Sequence, residues 1–306
     1  MIDIIVAGGG PAGLATAIHA ALAGMDVVVV EPRAAPVDKA CGEGLMPGGV
    51  AALRAMGVQV GGHPLQGIDY IDAATRARAS FRHSPGRGVR RTELHAALTA
   101  RAAGLGIPIV TGKITQARQD EHGVEAAGLR ARWLVAADGL HSPLRAWLGL
   151  GLPDRRPHRY GLRRHYHVAP WSDYVEVHWS QGGEAYVTPV GDDLVGVAIL
   201  TSQRRGYDEH LAAFPALLDR LAGPAATPVR GAGPRCASAC APAWQAASCS
   251  SATPPDTPTP SPARACALPP CRRAPSCAAW PPAAPRTTSG RGGACRARTA
   301  CSPEPC

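Results

Sequence analysis

Residues 2–31 read IDIIVAGGGPAGLATAIHAALAGMDVVVVE, and this stretch decides the fold. Ile2 to Ala7 is a short apolar run ending in glycines, which suits a buried parallel strand. Pro11 to Ala23 is rich in Ala, Leu and Ile and predicts a helix stopped by Gly24. Val27 to Val30 reads as a second buried strand, ending in Glu31. Strand, helix and strand make a βαβ opening. The turn between the first two elements carries Gly8-x-Gly10-x-x-Gly13. Gly8 permits the tight turn, Gly10 lets the backbone approach a pyrophosphate, and Gly13 allows close helix–strand packing. Pro11 and Ala12 open the helix, whose free N–H groups and positive dipole end favour phosphates. Glu31 stands at the end of the second strand, where a carboxylate accepts hydrogen bonds from ribose hydroxyls. The alternative is a Gly-rich turn that binds nothing, and the motif alone does not separate NAD from FAD.

Working outward, Gly48 to Met56 predicts a helix closed by Gly57, and Ile68 to Phe81 alternates weakly, as a hairpin would. Arg91 to Ala103 predicts a helix with Thr92 as a candidate cap. Ile107 to Val110 and Trp133 to Ala137 predict strands, the latter followed by Asp138-Gly139. From about residue 160 the pattern changes to strands without intervening helices: Tyr160–Val168, Tyr174–Trp179, Glu184–Pro189 and Leu194–Leu200, with turn signals at Gly182-Gly183 and Gly191-Asp192. That is an antiparallel sheet. Tyr207 to Leu221 then predicts one helix.

These residues carry a resemblance. Gly8–Gly13 with Glu31, the segment Cys41-Gly42-Glu43-Gly44-Leu45, Arg90-Arg91-Thr92-Glu93-Leu94 and Leu134–Ser142 around Asp138-Gly139 together resemble the FAD-dependent monooxygenases of the aromatic-hydroxylase type and the related geranylgeranyl-reductase-like oxidoreductases. The resemblance covers residues 1 to about 234. It implies that the segment at Asp138-Gly139 contacts the FAD pyrophosphate region and the incoming nicotinamide nucleotide, that Arg91 lies near the FAD, and that Cys41 and Gly42 run beside the isoalloxazine ring. Arg33 joins the candidate cofactor-binding set. No second G-x-G-x-x-G exists, so NAD(P)H is expected as a transient donor without its own domain. Against these stand plainer readings: a turn at Asp138-Gly139, solvated helix-start charges at Arg90 and Arg91, and an inert packed thiol at Cys41.

Other residues are weaker candidates. His165 and His167 share a strand face, but with no third ligand in view no metal is expected. Glu176 and His178 also share a face, expected to be exposed, with the lining of a substrate pocket as the alternative. Tyr166, Trp171, Tyr174, Trp179 and Tyr186 suggest a pocket with aromatic walls, suited to a planar, polyketide-like or isoprenoid ligand. No residue is a convincing acid or base, so none is assigned a catalytic role.

Charge and cysteine are unevenly placed. The 306 residues carry a formal +9, of which residues 235–306 supply +6 (eight Arg against Asp256 and Glu304) and the rest only +3. Cys41 is the one cysteine before Cys236, and nine follow from there. The tail lacks Val, Ile, Phe, Tyr, Met and Lys and has a single Leu, so it cannot bury enough apolar area to offset its ordering entropy. The basic signal is therefore no sign of a nucleic-acid partner. The tail has no His and no C-x-x-C pair, which disfavours zinc. A displaced reading frame explains the composition. Combining each codon's third base with the next codon's first two turns Ala247 to Ala265 into VLLVGDAAGYADALTGEG, with only wobble bases free. The string is an apolar strand followed by Gly-Asp, and it resembles the second FAD motif of the same family.

The expected fold is α/β: a Rossmann-like FAD-binding domain over residues 1–158 with 62–90 as a hairpin excursion, an antiparallel-sheet substrate domain with its following helix over 159–234, and an aberrant, disordered Ala/Pro/Arg/Cys tail over 235–306. No apolar run is long enough to span a membrane, and a cytoplasmic location is expected. The expected function is that of an FAD-dependent oxidoreductase: first, an NAD(P)H-dependent monooxygenase using O2 on an organic small molecule; second, an alkene reductase of the geranylgeranyl type; third, an inactive frameshifted product.

Overall fold

The structure is a computed structural model that describes residues 1–72, 75–152 and 158–235. Tail residues 236–306, with their frame and disorder readings, lie outside the described residues. The opening folds as its pattern predicts: β1 (Ile2–Ala7), α1 (Pro11–Leu22) and β2 (Val27–Glu31). β1 and β2 pair in parallel, Ile4 against Val27 through Ala7 against Val30. Pro11 supplies the fixed φ and missing N–H tolerated at a first helical position. Gly24, at φ 80°, ends the helix in a left-handed conformation. Ile5, Val6, Leu14, Ile18 and Val29 are fully buried. Each such side chain contributes roughly 1.5–3 kcal/mol of burial, and these residues form the centre of the domain.

The next elements are shorter: β3 (Gly44–Leu45), α2 (Pro47–Ala55), β4 (His63–Leu65), β5 (Gly67–Ile71), β6 (Arg76–Ser80), β7 (Gly86–Gly88), α3 (Arg91–Gly104), β8 (Ile109–Thr111), β9 (Arg118–Asp120), β10 (Gly123–Ala126), β11 (Leu129–Ala136) and α4 (Pro143–Trp147). They complete a six-stranded sheet in the order β8-β2-β1-β11-β10-β9, in which β8, β2, β1 and β11 are parallel and β9 and β10 antiparallel. Such a mixed sheet, with crossover strands placed on both sides of the first, is the doubly wound arrangement. β3, β7 and β4 form a small separate sheet. α3 begins at Arg91, so Thr92 lies inside the helix and is not its cap.

The rest is β12 (Arg159–His167), β13 (Tyr174–Ser180), β14 (Gly183–Pro189), β15 (Leu194–Thr201), α5 (Tyr207–Leu211), α6 (Pro215–Leu221) and β16 (Arg230–Arg235). Seven strands run β16-β12-β15-β14-β13-β5-β6. The predicted β5–β6 hairpin is present and joins this sheet through a parallel pairing of β5 with β13. The single helix expected over Tyr207–Leu221 is two, because Pro215 has no N–H to continue the first and starts the second.

The sheet's faces differ. Tyr166, Ala185, Val187, Val195, Val197 and Ile199 pack under Tyr207, Leu211, Phe214, Leu217 and Leu221 of the two helices. Side chains alternate across a strand, so Arg163, His165, Val175, Val177, Tyr186 and Thr188 face the other way, toward the 38–45 segment and Leu65.

Candidate functional site

The glycine-rich turn is built by steric necessity. Gly8 has φ 105°, and a Cβ there would sit 2.5 Å from Ala137 O. A Cβ on Gly13 would fall 1.8 Å from Gly8 O, so any other residue would push α1 off β1. Gly10 is the reverse case: nothing lies within 4 Å of its missing Cβ. It is also the N-cap of α1, whose first turn has no side-chain cap and no acidic residue. The first N–H groups of a helix lack intrahelical partners. Here they face open space beside the positive end of a twelve-residue dipole.

Glu31 is nearly fully buried beside this turn. Its Oε2 accepts from Gly9 N–H at 2.8 Å and from Arg33 Nη2 at 3.0 Å, and its Oε1 accepts from Arg33 N–H at 3.0 Å and Nε at 2.6 Å. Burial alone would raise the Glu31 carboxyl, but the Arg33 guanidinium and the Gly9 N–H outweigh it and hold its pKa below the ordinary range. Four acceptor positions of the carboxylate are thus filled. A ribose hydroxyl that donates to Glu31 takes the place of Arg33, whose side chain is 42% exposed and can leave.

α3 closes the turn from the other side. His95 is buried with Nε2 2.9 Å from Gly9 O. A carbonyl only accepts, so Nε2 carries the proton, and Nδ1 is left to accept from Thr99 Oγ1 at 3.3 Å. Burial lowers the His95 pKa, with the nearby Arg91 charge adding to it. Arg91 and His95 are one helical turn apart and share a face. The Nε atoms of Arg90 and Arg91 are buried and have no hydrogen-bond partner among the described residues. Burial lowers the Arg91 pKa, and burial followed by repulsion from Arg33 and Arg91 lowers that of Lys39. Lys39 Nζ lies 3.7 Å from the Cβ position of Gly139, itself at φ 94°. Arg33, Lys39 and Arg91, the last with an orphaned Nε, and an uncapped helix end therefore lie where the turn leaves room for an anion. A pyrophosphate fits this donor set.

Asp138 itself turns inward: its Oδ2 accepts from Leu144 N–H at 3.2 Å, while Ser142 Oγ caps Arg145 N–H at 2.9 Å. Of the Asp138-Gly139 pair, Gly139 is the one beside Lys39. Cys41 is half-buried, and burial, then the Glu43 carboxylate, pushes its thiol up. A thiol in that state is a poor nucleophile. Thr188 Oγ1 donates to Gly42 O at 2.7 Å, tying the segment to β14.

Glu43 is the residue that sequence reasoning undervalued. Its side chain is 1% exposed and accepts from Arg163 Nη1 at 2.7 Å, His165 Nε2 at 2.6 Å and Arg91 N–H at 2.9 Å. Arg163, 3% exposed, also donates through Nη2 to Asp38 Oδ1 at 2.7 Å. His165 is thus a partner of a carboxylate while His167 is exposed, and among the described residues no group of three metal-ligating side chains occurs. Glu176 and His178, expected on an exposed face, are covered instead: Glu176 accepts from Trp171 Nε1 at 3.1 Å and pairs with His178 Nε2 at 3.0 Å. The five aromatics do not wall one pocket. Tyr166 and Trp171 pack toward α5 and α6, whereas Tyr186 packs with Val175 and Val177 on the opposite face. Strand alternation separates them.

With that geometry in place, the comparisons decide the family. Residues 1–180 match the sequence profile described as "FAD binding domain". The chain belongs to that family. The matched stretch includes the glycine turn described above. The chain is 32% identical over 240 residues to the menaquinone reductase of Mycolicibacterium smegmatis, covering 68% of this chain and 58% of that protein. It is 32% identical over 166 residues to the rifampicin monooxygenase of Streptomyces venezuelae, covering 50% and 35%. The chain thus spans between about a third and three-fifths of these relatives' lengths. Among solved structures, the geranylgeranyl bacteriochlorophyll reductase-like protein of Thermoplasma acidophilum superposes with a TM-score of 0.61 at 21% identity, over 76% of this chain and 65% of that one. That likeness bears out the mixed α/β fold expected from the sequence.

Proposed function

We propose that this chain is the cofactor-binding and sheet portion of an FAD-dependent oxidoreductase that draws electrons from NAD(P)H and passes them to an organic small molecule. The observation that carries this is the anion cradle: Gly10 with open space at its Cβ position, an uncapped α1, and the neighbouring cations Lys39, Arg33 and Arg91, with the buried Arg91 Nε unpartnered among the described residues. In this reading Gly8, Gly10, Pro11, Ala12 and Gly13 shape the pyrophosphate turn. Glu31 accepts from the adenosine ribose once Arg33 moves aside, and Arg91, Lys39 and Gly139 border the phosphates. Cys41 and Gly42 form a wall of the flavin cleft, with Asp138 bracing the turn before α4. Bound FAD supplies two-electron transfer, and the chain supplies orientation and exclusion of water.

The first outlet for those electrons is oxygenation of the substrate with O2, the chemistry named for the rifampicin monooxygenase relative. A second outlet, reduction of an isoprenoid alkene, is favoured by the longer match, 240 residues against 166, to a protein named for menaquinone reduction. NAD(P)H oxidation by the FAD-loaded chain separates them. Substrate-stimulated O2 uptake with one oxygen in the product supports the first, and anaerobic turnover with a saturated product supports the second. A chain that never retains FAD sinks both.

A companion proposal concerns the reading frame. Among the described residues, Trp133–Ala136 of β11 have β1 on one side and no strand on the other. A frame displaced near Pro234 would restore an apolar strand ending in Gly-Asp. Resequencing the coding DNA across codons 225–270 tests this: one missing or extra base restores the Gly-Asp strand and a full flavoprotein, and an unambiguous sequence in the printed frame makes the tail real at the DNA level, so that flavin binding must be shown before any activity is claimed.

A further inference from the structure

Glu43 holds a backbone conformation that its side chain does not favour. Its φ is 56°, in the left-handed region that non-glycine residues other than Asn and Asp rarely enter. The other described residue of this kind, Ala127 at φ 51°, is explained by its turn, since Ala127-Gly128 joins β10 to β11 as a two-residue hairpin loop of the type that needs positive φ. No such loop surrounds Glu43. A conformation of this sort persists only where its surroundings over-determine it, and here the surroundings are the partners of the residue itself.

Those partners belong to two parts of the chain far from Glu43 in sequence, β12 and the 89–91 stretch that leads into α3. The carboxylate accepts from Arg163 and His165 on β12, and from the N–H of Arg91, the first residue of α3. The main-chain oxygen of Glu43 accepts from Val89 N–H at 2.8 Å. Arg163 turns back through Asp38 to the beginning of the same segment. α3 has no cap from its own N-cap residue, Arg90, so the Glu43 carboxylate provides the negative charge that a helix N-terminus favours. β15 makes room for it: a Cβ on Gly196 would lie 2.8 Å from Glu43 Oε2. Among the described residues the Arg163 Nε atom has no partner, so this guanidinium depends on Glu43 and Asp38 for its compensation.

We infer that Glu43 is a positioning residue, which fixes the Asp38–Leu45 segment, the N-terminus of α3 and strand β12 in one arrangement and thereby sets the wall of the cofactor cleft. Cys41 and Gly42 lie within that segment, and Arg91 and His95 project from the helix it anchors. The contact is local in effect. It leaves the face of the sheet under α5 and α6 untouched.

The test uses Glu43→Gln in the full-length chain, a change that keeps shape and one acceptor but removes the charge. Hydrogen exchange on the FAD-free protein is expected to quicken at least tenfold for amides within 38–46 and 89–92, while peptides from β14, β15 and α1 keep wild-type rates. Uniform acceleration across all peptides would overturn the inference, because it would mark a general structural loss, and so would an unchanged profile. Should Glu43→Gln fail to fold, Glu43→Asp replaces it: Asp tolerates positive φ and keeps the charge, but it is one methylene short of Arg163 and His165, and the same local loosening is expected. The cofactor half of the inference rests on the FAD reading above and is read separately. Titrated with FAD, the variant should bind at least fivefold more weakly than wild type and show a bound-flavin absorption band with less vibrational structure. Identical affinity and spectrum would overturn that half. If wild type takes up no FAD, the FAD reading fails, and the exchange profiles still decide the role of Glu43.

Discussion

The glycine turn at residues 8–13 and the buried charge group at Glu43, Arg163, His165 and Asp38, both assigned above to the proposed FAD site, are held together by opposite means. The turn is a matter of excluded volume and main-chain hydrogen bonds. A Cβ on Gly13 has no room, and Gly8 N–H donates to Val30 O at 2.8 Å. The charge group is a matter of compensation between side chains 120 and more residues apart. The first kind of construction fails when an atom is added, and the second when a charge is removed. The difference explains why one was visible in the sequence and the other was not.

The largest expected effect strikes the charge group. Arg163→Ala leaves Glu43 buried with His165 as its remaining side-chain partner and Asp38 with Arg230. Breaking a buried pair by removing one partner costs about 3–5 kcal/mol, and thermal unfolding should fall accordingly. Replacing both ends with matched apolar or neutral groups, as in Glu43→Gln with Arg163→Met, should recover much of that loss. If the double variant is no more stable than Arg163→Ala, charge compensation is not what holds this region.

Gly13→Val strikes the turn. Overpacking costs about 1–3 kcal/mol, less than the broken charge pair. The functional loss should be larger, because α1 must move off β1 and carry its uncapped end away from the cradle. FAD titration should show at least a tenfold weaker complex. An FAD affinity within twofold of wild type would show that the position of α1 does not set the site.

How far the sequence carried the reading follows from the same contrast. β1, α1 and β2, and β12 through β15, have one period each and turn residues at their ends, so pattern alone finds them. β3, β4, β7, β9 and β10 are two to four residues long, too short for any alternation to show, and they exist because their partners do. The break at Pro215 was legible from proline's missing N–H and was passed over. In the site, Gly8, Gly10, Gly13 and Glu31 were readable from local spacing, and His95 was available from its helical spacing to Arg91. Lys39 carried no local signal, and the role of Glu43 could not be read from its own neighbourhood, because its meaning lies in Arg163 and His165, which only the tertiary fold brings to it. Burial of Glu176 was hidden for the same reason, since Trp171 covers it from a loop.

The smallest predicted effect separates the two kinds of construction most cleanly, because it depends on pH. Asp69, fully buried on β5, accepts from Arg76 and Arg78 on β6. The hydrogen bonds from Arg76, first, and Arg78 hold its carboxyl below the ordinary range against the opposing pull of burial. A carboxylate with a depressed folded pKa adds stability above its unfolded value, about 3.9, and loses it as pH falls through the folded one. Arg76 is 53% exposed, so Arg76→Ala should cost only about 1 kcal/mol or less at neutral pH. That cost should shrink as pH falls through the depressed folded pKa of Asp69, because a protonated carboxyl no longer pairs with the guanidinium. The deficit of Gly13→Val, being steric, should stay constant over the same range. Melting curves of both variants against wild type between pH 7 and pH 3 measure this directly. A deficit for Arg76→Ala that stays unchanged at a pH where NMR titration shows the Asp69 carboxyl of the folded wild type to be protonated would mean that the arginine acts through its packed stem and not through the Asp69 charge, and the sheet edge would then belong with the glycine turn as a steric construction.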